Sequence, residues 1–124
     1  DIKVQVIRGE ANKAQSISEG IEKTFDGDMN TIYHSPYNDN KVTEESPAIL
    51  TYYFDEGADM DYLVYYPRTD GGANGRFKEV EIMEPMSGLL LSRKISVVLP
   101  VPLVLIFRCL RLEYLLCRLW LTRV

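Results

Sequence analysis

The chain has 124 residues, 46% hydrophobic and 26% charged, enough for one globular domain with a buried core and too few for two ordinary ones. A net charge of −4 leaves no excess of Lys and Arg to neutralise phosphates, which argues against a nucleic-acid partner and suits neutral sugars or a bound cation. Eight Tyr against one Trp suit a β-sheet protein whose surface carries stacking platforms.

Ile2, Val4 and Val6 alternate with Lys3 and Gln5, which predicts a first strand over 2–7. A polar connector follows from Arg8 to Ser18, then Ile21–Phe25 as a short helical or irregular turn. Asp26-Gly27-Asp28-Met29-Asn30-Thr31 is loop chemistry, with Gly for unusual backbone angles and Asp and Asn for local hydrogen bonds. Ile32–Ser35 leads into a polar loop from Pro36 to Pro47. Ala48–Phe54 is β-branched and aromatic and reads as a strand ended by Asp55-Glu56-Gly57. Met60–Tyr66 reads as another, closed by Pro67. The turn Asp70–Gly75 then leads into Arg76–Ile82, where Phe77, Val80 and Ile82 break parity and predict a bulge. Short strands separated by turn signals predict an all-β sandwich or barrel.

Composition changes abruptly near residue 88. Residues 1–88 hold 17 acids against 8 bases, all eight Gly and every Asp and Asn; residues 89–124 hold one acid, Glu113, six bases and twelve of the fourteen Leu. The chain therefore divides into a domain over 1–88 and a Leu/Arg-rich tail over 89–124. The uncharged run of 13 residues from Ile95 to Phe107 is too short for a membrane span and is interrupted by Pro100 and Pro102. Three readings of the tail stand: out-of-frame sequence, final strands of unusual composition, or a segment that binds a partner or a membrane surface. The tail is expected not to complete a stable sandwich, which would leave its Leu-rich surface partly exposed and favour association. Cys109 and Cys117 pair only if the fold brings them together. No signal peptide is visible, and Asp1 looks like the start of a mature or trimmed segment.

Two polar groups carry candidate chemistry. Asp26, Asp28 and Thr31 fall within six residues around Gly27, and a hard cation such as Ca²⁺ wants six to eight oxygens of this kind. The alternative is an Asx-rich turn without metal. Arg68 supplies a fork of donors, Asn74 a donor and an acceptor, and His34 either, according to tautomer, while Tyr37 is a candidate stacking ring for a sugar. Each has a structural alternative: Arg68 pairing with Asp70 or Asp61, Asn74 as the turn residue before Gly75, and His34 as a lone structural histidine. Catalysis finds no support, because one His and two tail cysteines make no triad or zinc set, and no carboxylate pair suggests glycosidase chemistry.

Two blocks resemble a known family. Lys23-Thr24-Phe25-Asp26-Gly27-Asp28-Met29-Asn30-Thr31-Ile32-Tyr33-His34-Ser35 is similar to a signature in which Trp is usual at the place of Tyr33. Met60-Asp61-Tyr62-Leu63-Val64-Tyr65-Tyr66-Pro67-Arg68-Thr69-Asp70-Gly71-Gly72-Ala73-Asn74-Gly75-Arg76-Phe77 is similar to the same family's strand and turn. Pro47–Phe54 matches the strand between them. Residues 1–86 thus resemble the discoidin-like (F5/8 type C) domains of the galactose-binding, carbohydrate-binding module family 32 type, as appended to secreted glycosidases and mucin-directed metallopeptidases of Bacteroides-type bacteria.

The resemblance implies a discoidin-like jelly-roll β-sandwich, whose C-terminal strands the tail's composition would make aberrant, and a non-catalytic module for galactose or N-acetylgalactosamine glycans. It implies that His34, Arg68 and Asn74 contact sugar hydroxyls. It also implies a structural Ca²⁺ held by the Lys23 carbonyl, Asp26, Asp28 and Thr31, with a late Glu as a further ligand. An extracellular or cell-surface location on a bacterium, with the periplasm as the alternative, within a multidomain chain follows. The competing expectation is a protein-binding adhesion or structural discoidin domain; the polar loops 36–47 and 69–75 favour sugar.

Overall fold

The computed structural model describes residues 5–36, 39–43, 45–67, 76–84, 89–95 and 103–122. Among the described residues five strands, β1 (Val6–Ala11), β2 (Ala48–Tyr65), β3 (Arg76–Glu84), β4 (Leu89–Ile95) and β5 (Leu103–Thr122), form an antiparallel sheet in the order β1-β2-β5-β3-β4. The helical elements among the described residues are two 3-10 turns, Ile17–Glu19 and Ile21–Thr24. The all-β expectation therefore holds, and the turn expected over Ile21–Phe25 is present.

Contrary to the expectation that the tail does not complete the sandwich, the leucine-rich segment supplies β4 and β5, joined to the sheet by backbone pairing. β5 stands in the interior of the sheet, paired with β2 on one side and β3 on the other. Cys117 of β5 lies in register between Leu50 of β2 and Ile82 of β3, both fully buried. Cys109 and Cys117 share this one extended strand. At about 3.3 Å of rise per residue they lie roughly 26 Å apart, against the 7 Å or less a disulfide needs, so they do not pair with each other.

Two boundaries differ from expectation. β1 begins at Val6 and runs to Ala11, into the stretch expected as connector; residues 1–4 of the expected strand lie outside the described residues. The reason is packing: a Cβ on Gly9 would come within 3.0 Å of Phe25 and 3.2 Å of Ile21, so the turn at Ile21–Thr24 rests directly on this strand. Ile21 is buried there, Phe25 meets the Tyr52 ring edge-on at 6.1 Å, and Thr24 Oγ1 lies 2.8 Å from the Tyr52 hydroxyl.

The second difference is that the two strands expected over 48–54 and 60–66 are one, β2. Asp55-Glu56-Gly57 makes a bulge instead of a turn. Between Tyr53 and Ala58, β2 advances five residues while β5 moves back only two, and the register shifts again at Met60 and Tyr62. Continued pairing with β5 on both sides keeps the chain extended. Bulges bend strands, and bent strands are how one hydrogen-bonded ladder turns between two layers. The bulge expected in the third strand is also present, between Phe77 and Glu79.

Candidate functional site

The acidic loop is wound around one hydroxyl. Gly27 takes φ +77°, a backbone open to glycine, and lets the chain curl. Thr31 Oγ1 lies 2.7 Å from Asp26 Oδ2, 3.0 Å from the Asp28 main-chain oxygen and 3.4 Å from the Lys23 main-chain oxygen. A hydroxyl has one proton, so three acceptors compete for a single donor. Such a surplus of oxygens is what a hard cation neutralises.

The four residues expected as calcium ligands are thus brought together, and their donor set fits that ion in kind. The set uses two main-chain carbonyls, one carboxylate and one hydroxyl. Among the described residues there is no group of three or more His, Cys, Asp or Glu that would hold a metal by side chains alone.

Asp28 contributes differently from Asp26. Its carboxylate accepts the Asn30 amide at 2.9 Å, closing an Asx turn, while its carbonyl faces the cluster. Asp26 accepts the Asp28 amide at 2.9 Å with its other oxygen. That bond, then the Thr31 hydroxyl and the nearby Lys23 charge, hold the Asp26 carboxyl below the usual carboxylate range. Glu113 lies on β5 two residues from Leu115, the register partner of Tyr52.

Three residues beyond Thr31 the chain reaches His34. Its Nδ1 is 2.6 Å from the Ser35 carbonyl oxygen, which can only accept. Nδ1 therefore carries the proton, and in the neutral ring Nε2 is the acceptor. The backbone around it is fixed: the His34 amide donates to the Glu19 carbonyl at 3.1 Å, and the Gln15 amide donates to the His34 carbonyl at 2.9 Å. Ser35 is buried. Arg68, Asn74 and Tyr37, the other residues expected to meet sugar, lie outside the described residues.

A cluster that sequence reasoning missed lies beside His34. Lys13 is buried, and its ammonium donates to the Lys41 carbonyl at 3.0 Å, the Ser46 carbonyl at 2.9 Å and the Ser46 hydroxyl at 2.7 Å. The Tyr33 hydroxyl donates to the Lys13 carbonyl at 2.5 Å. Next to it, Asn12 bonds the Pro47 carbonyl at 3.1 Å and the Ile49 amide at 2.7 Å through its side chain. The one signal in the sequence was Tyr33 standing where the resembled signature has Trp, which puts a hydroxyl where none is usual.

Among the described residues no helix is long and apolar enough to cross a membrane.

No protein-family model and no curated protein match the chain. Solved structures do. The family 32 carbohydrate-binding module of NanJ from Clostridium perfringens, in complex with galactose, aligns with a TM-score of 0.76 at 18% identity, over 90% of this chain and 80% of that one. The paired family 32 modules of ZmpB from the same organism align at 0.77 and 19% identity, over 91% of this chain and 30% of that one. A family 32 module from the same organism, solved with GalNAc-β-1,3-galactose, aligns at 0.73 and 22% identity, over 90% and 83%. These modules come from Clostridium, not from the Bacteroides-type bacteria that the motif wording suggested. The chain has the β-sandwich fold of the family 32 carbohydrate-binding modules.

Proposed function

We propose that this chain is a non-catalytic carbohydrate-binding module for galactose- and N-acetylgalactosamine-type glycans, part of a larger extracellular bacterial enzyme. The observation that carries this reading is the likeness of its fold to modules solved with galactose and with GalNAc-β-1,3-galactose. Fold alone does not specify a ligand, so the reading leans also on the site. An imidazole, on a backbone fixed from two sides, is a group that can hydrogen-bond a sugar hydroxyl. Arg68, Asn74 and Tyr37 complete the proposed contact set with a planar donor fork, an amide and a stacking ring.

Calcium is proposed as a structural ion held by the Lys23 and Asp28 carbonyls, the Asp26 carboxylate and the Thr31 hydroxyl. Its charge would relieve the crowding of acceptors around Thr31 and fix the loop that leads into His34. As an appended module, the domain would act through effective concentration, holding an attached glycosidase or metallopeptidase near mucin or polysaccharide. A domain boundary at residue 88 is proposed only as a change of composition, since β5 pairs with β2 and β3.

Calorimetry with galactose, N-acetylgalactosamine and mucin glycans, backed by a glycan array, tests the reading. Saturable binding to any of these supports it. A folded protein that binds none of them leaves the adhesion or structural reading in its place.

A further inference from the structure

We infer that Lys13 is a positioning residue for the His34 site, holding the chain at Tyr33 and His34 and the chain at Lys41 and Ser46 at a fixed spacing. The inference rests on the sugar-binding reading for its functional half and on the hydrogen bonds of Lys13 for the rest.

Lys13 is only 6% exposed, an unusual place for an ammonium, whose burial is costly unless its donors are satisfied. All three donors are met, and all three acceptors are neutral oxygens: the Lys41 carbonyl, the Ser46 carbonyl and the Ser46 hydroxyl. These acceptors lie on the returning limb of the loop. The chain that leads into the loop is fixed to the same short segment, through the Tyr33 hydroxyl on the Lys13 carbonyl and the Gln15 amide on the His34 carbonyl. Asn12 extends the grip to Pro47 and Ile49, at the start of β2.

Residues 12–15 therefore form a strut between His34 and the segment Lys41–Ser46. A methionine would fill the same space without burying a charge, so what the lysine adds is directional attachment of the loop. A loop held in one conformation before ligand arrives spares the ordering cost of binding, and its release weakens binding without removing any ligand contact.

The test is Lys13→Met, which keeps the stem and deletes the ammonium, with Ser46→Ala as a milder second variant that loses one acceptor. Hydrogen exchange over residues 41–46 is measured in sugar-free protein, and affinity for free galactose and N-acetylgalactosamine by calorimetry. Lys13→Met is expected to raise exchange in 41–46 at least tenfold and to weaken sugar binding about tenfold, at a melting temperature that leaves the protein folded. Ser46→Ala is expected to weaken binding about two- to threefold, and it decides the question if Lys13→Met does not fold. A lysine with a merely structural role would lower the melting temperature and leave the affinity of the folded protein unchanged; that result overturns the inference. Unchanged exchange in a folded variant overturns it as well. If the wild-type protein binds neither sugar, the functional reading and the positioning role both fall, while the exchange measurement still reports whether the strut holds the loop.

Discussion

The Tyr33 hydroxyl and the Lys13 main-chain carbonyl share a 2.5 Å hydrogen bond, so the residue before His34 is tied to the residue whose ammonium holds Lys41 and Ser46. Burial pushes the Tyr33 phenol from 10 up to about 12. A raised value in the folded state means that its contribution to stability is complete below pH 10 and is lost as pH rises through about 12. In an alkaline absorbance titration, Tyr33 is expected to ionise late, and Tyr33→Phe to remove that late step. The lost hydrogen bond should cost about 1 kcal/mol. A wild-type titration in which every tyrosine ionises near 10 would contradict the burial argument.

The acidic loop gives a paired prediction. If calcium binds the native state alone, it stabilises by roughly 2.7 kcal/mol at a hundredfold excess over Kd. Asp26→Ala and Asp28→Ala should therefore lower the melting temperature far more in calcium buffer than in chelator. Asp26→Ala should be the worse, because the Asp28 carbonyl that faces the cluster survives its substitution. A wild-type melting temperature indifferent to chelator would remove calcium from the site. Without metal, the lowered Asp26 carboxyl adds stability that is fully present above about pH 3.9 and is lost as pH falls through its lower folded value. Asp26→Asn should flatten that acid limb.

Sugar contacts are tested at Arg68 and Asn74, which lie between β2 and β3 in the sequence. A hydrogen bond from a charged group is worth roughly 1.5–3 kcal/mol, and a tenfold change in affinity is about 1.4. Arg68→Ala is expected to weaken galactoside binding tenfold or more, and Asn74→Ala somewhat less. Tyr62→Phe serves as a control with little effect. The melting temperature of Arg68→Ala must match the wild type for its loss to be assigned to contact. Equal affinity in a folded Arg68→Ala protein would take Arg68 out of the site.

The place of β5 can be read by hydrogen exchange. A strand paired on both sides buries its amides in two ladders, so 103–122 should be among the slowest-exchanging segments of a monomer. Fast exchange there would instead favour the view of this segment as sequence foreign to the domain.

How much of this was legible before the structure depends on the range of the interaction. The turn at Ile21–Thr24 and the oxygen cluster of Lys23, Asp26, Asp28 and Thr31 are local, set by Gly and Asx chemistry within a few residues, and they were readable. The continuation of β1 from Arg8 to Ala11 was not, because Arg8 and Glu10 are polar and the partial burial of Gly9 depends on Ile21 and Phe25. Asp55-Glu56-Gly57 has the composition of a turn, and only pairing with β5 keeps it extended. Lys13 was passed over because a lysine in a polar connector reads as solvated. Its acceptors at Lys41 and Ser46 are distant in sequence and carry no side-chain pattern that announces them.

The interior position of β5 also bears on how the chain comes to be folded. β5 is the latest strand in chain order, yet it separates β2 from β3, and residues as far apart as Ala48 and Leu119 are partners. Until that segment emerges from the ribosome, β2 has β1 alone beside it and its opposite edge open. Long-range pairings of this sort are entropically late and slow, on the order of milliseconds to seconds, and an open strand edge invites association with other chains meanwhile. A nascent chain of this domain therefore carries β2 without its β5 partner for most of its synthesis, and stalling before β5 would leave β2 and β3 unjoined.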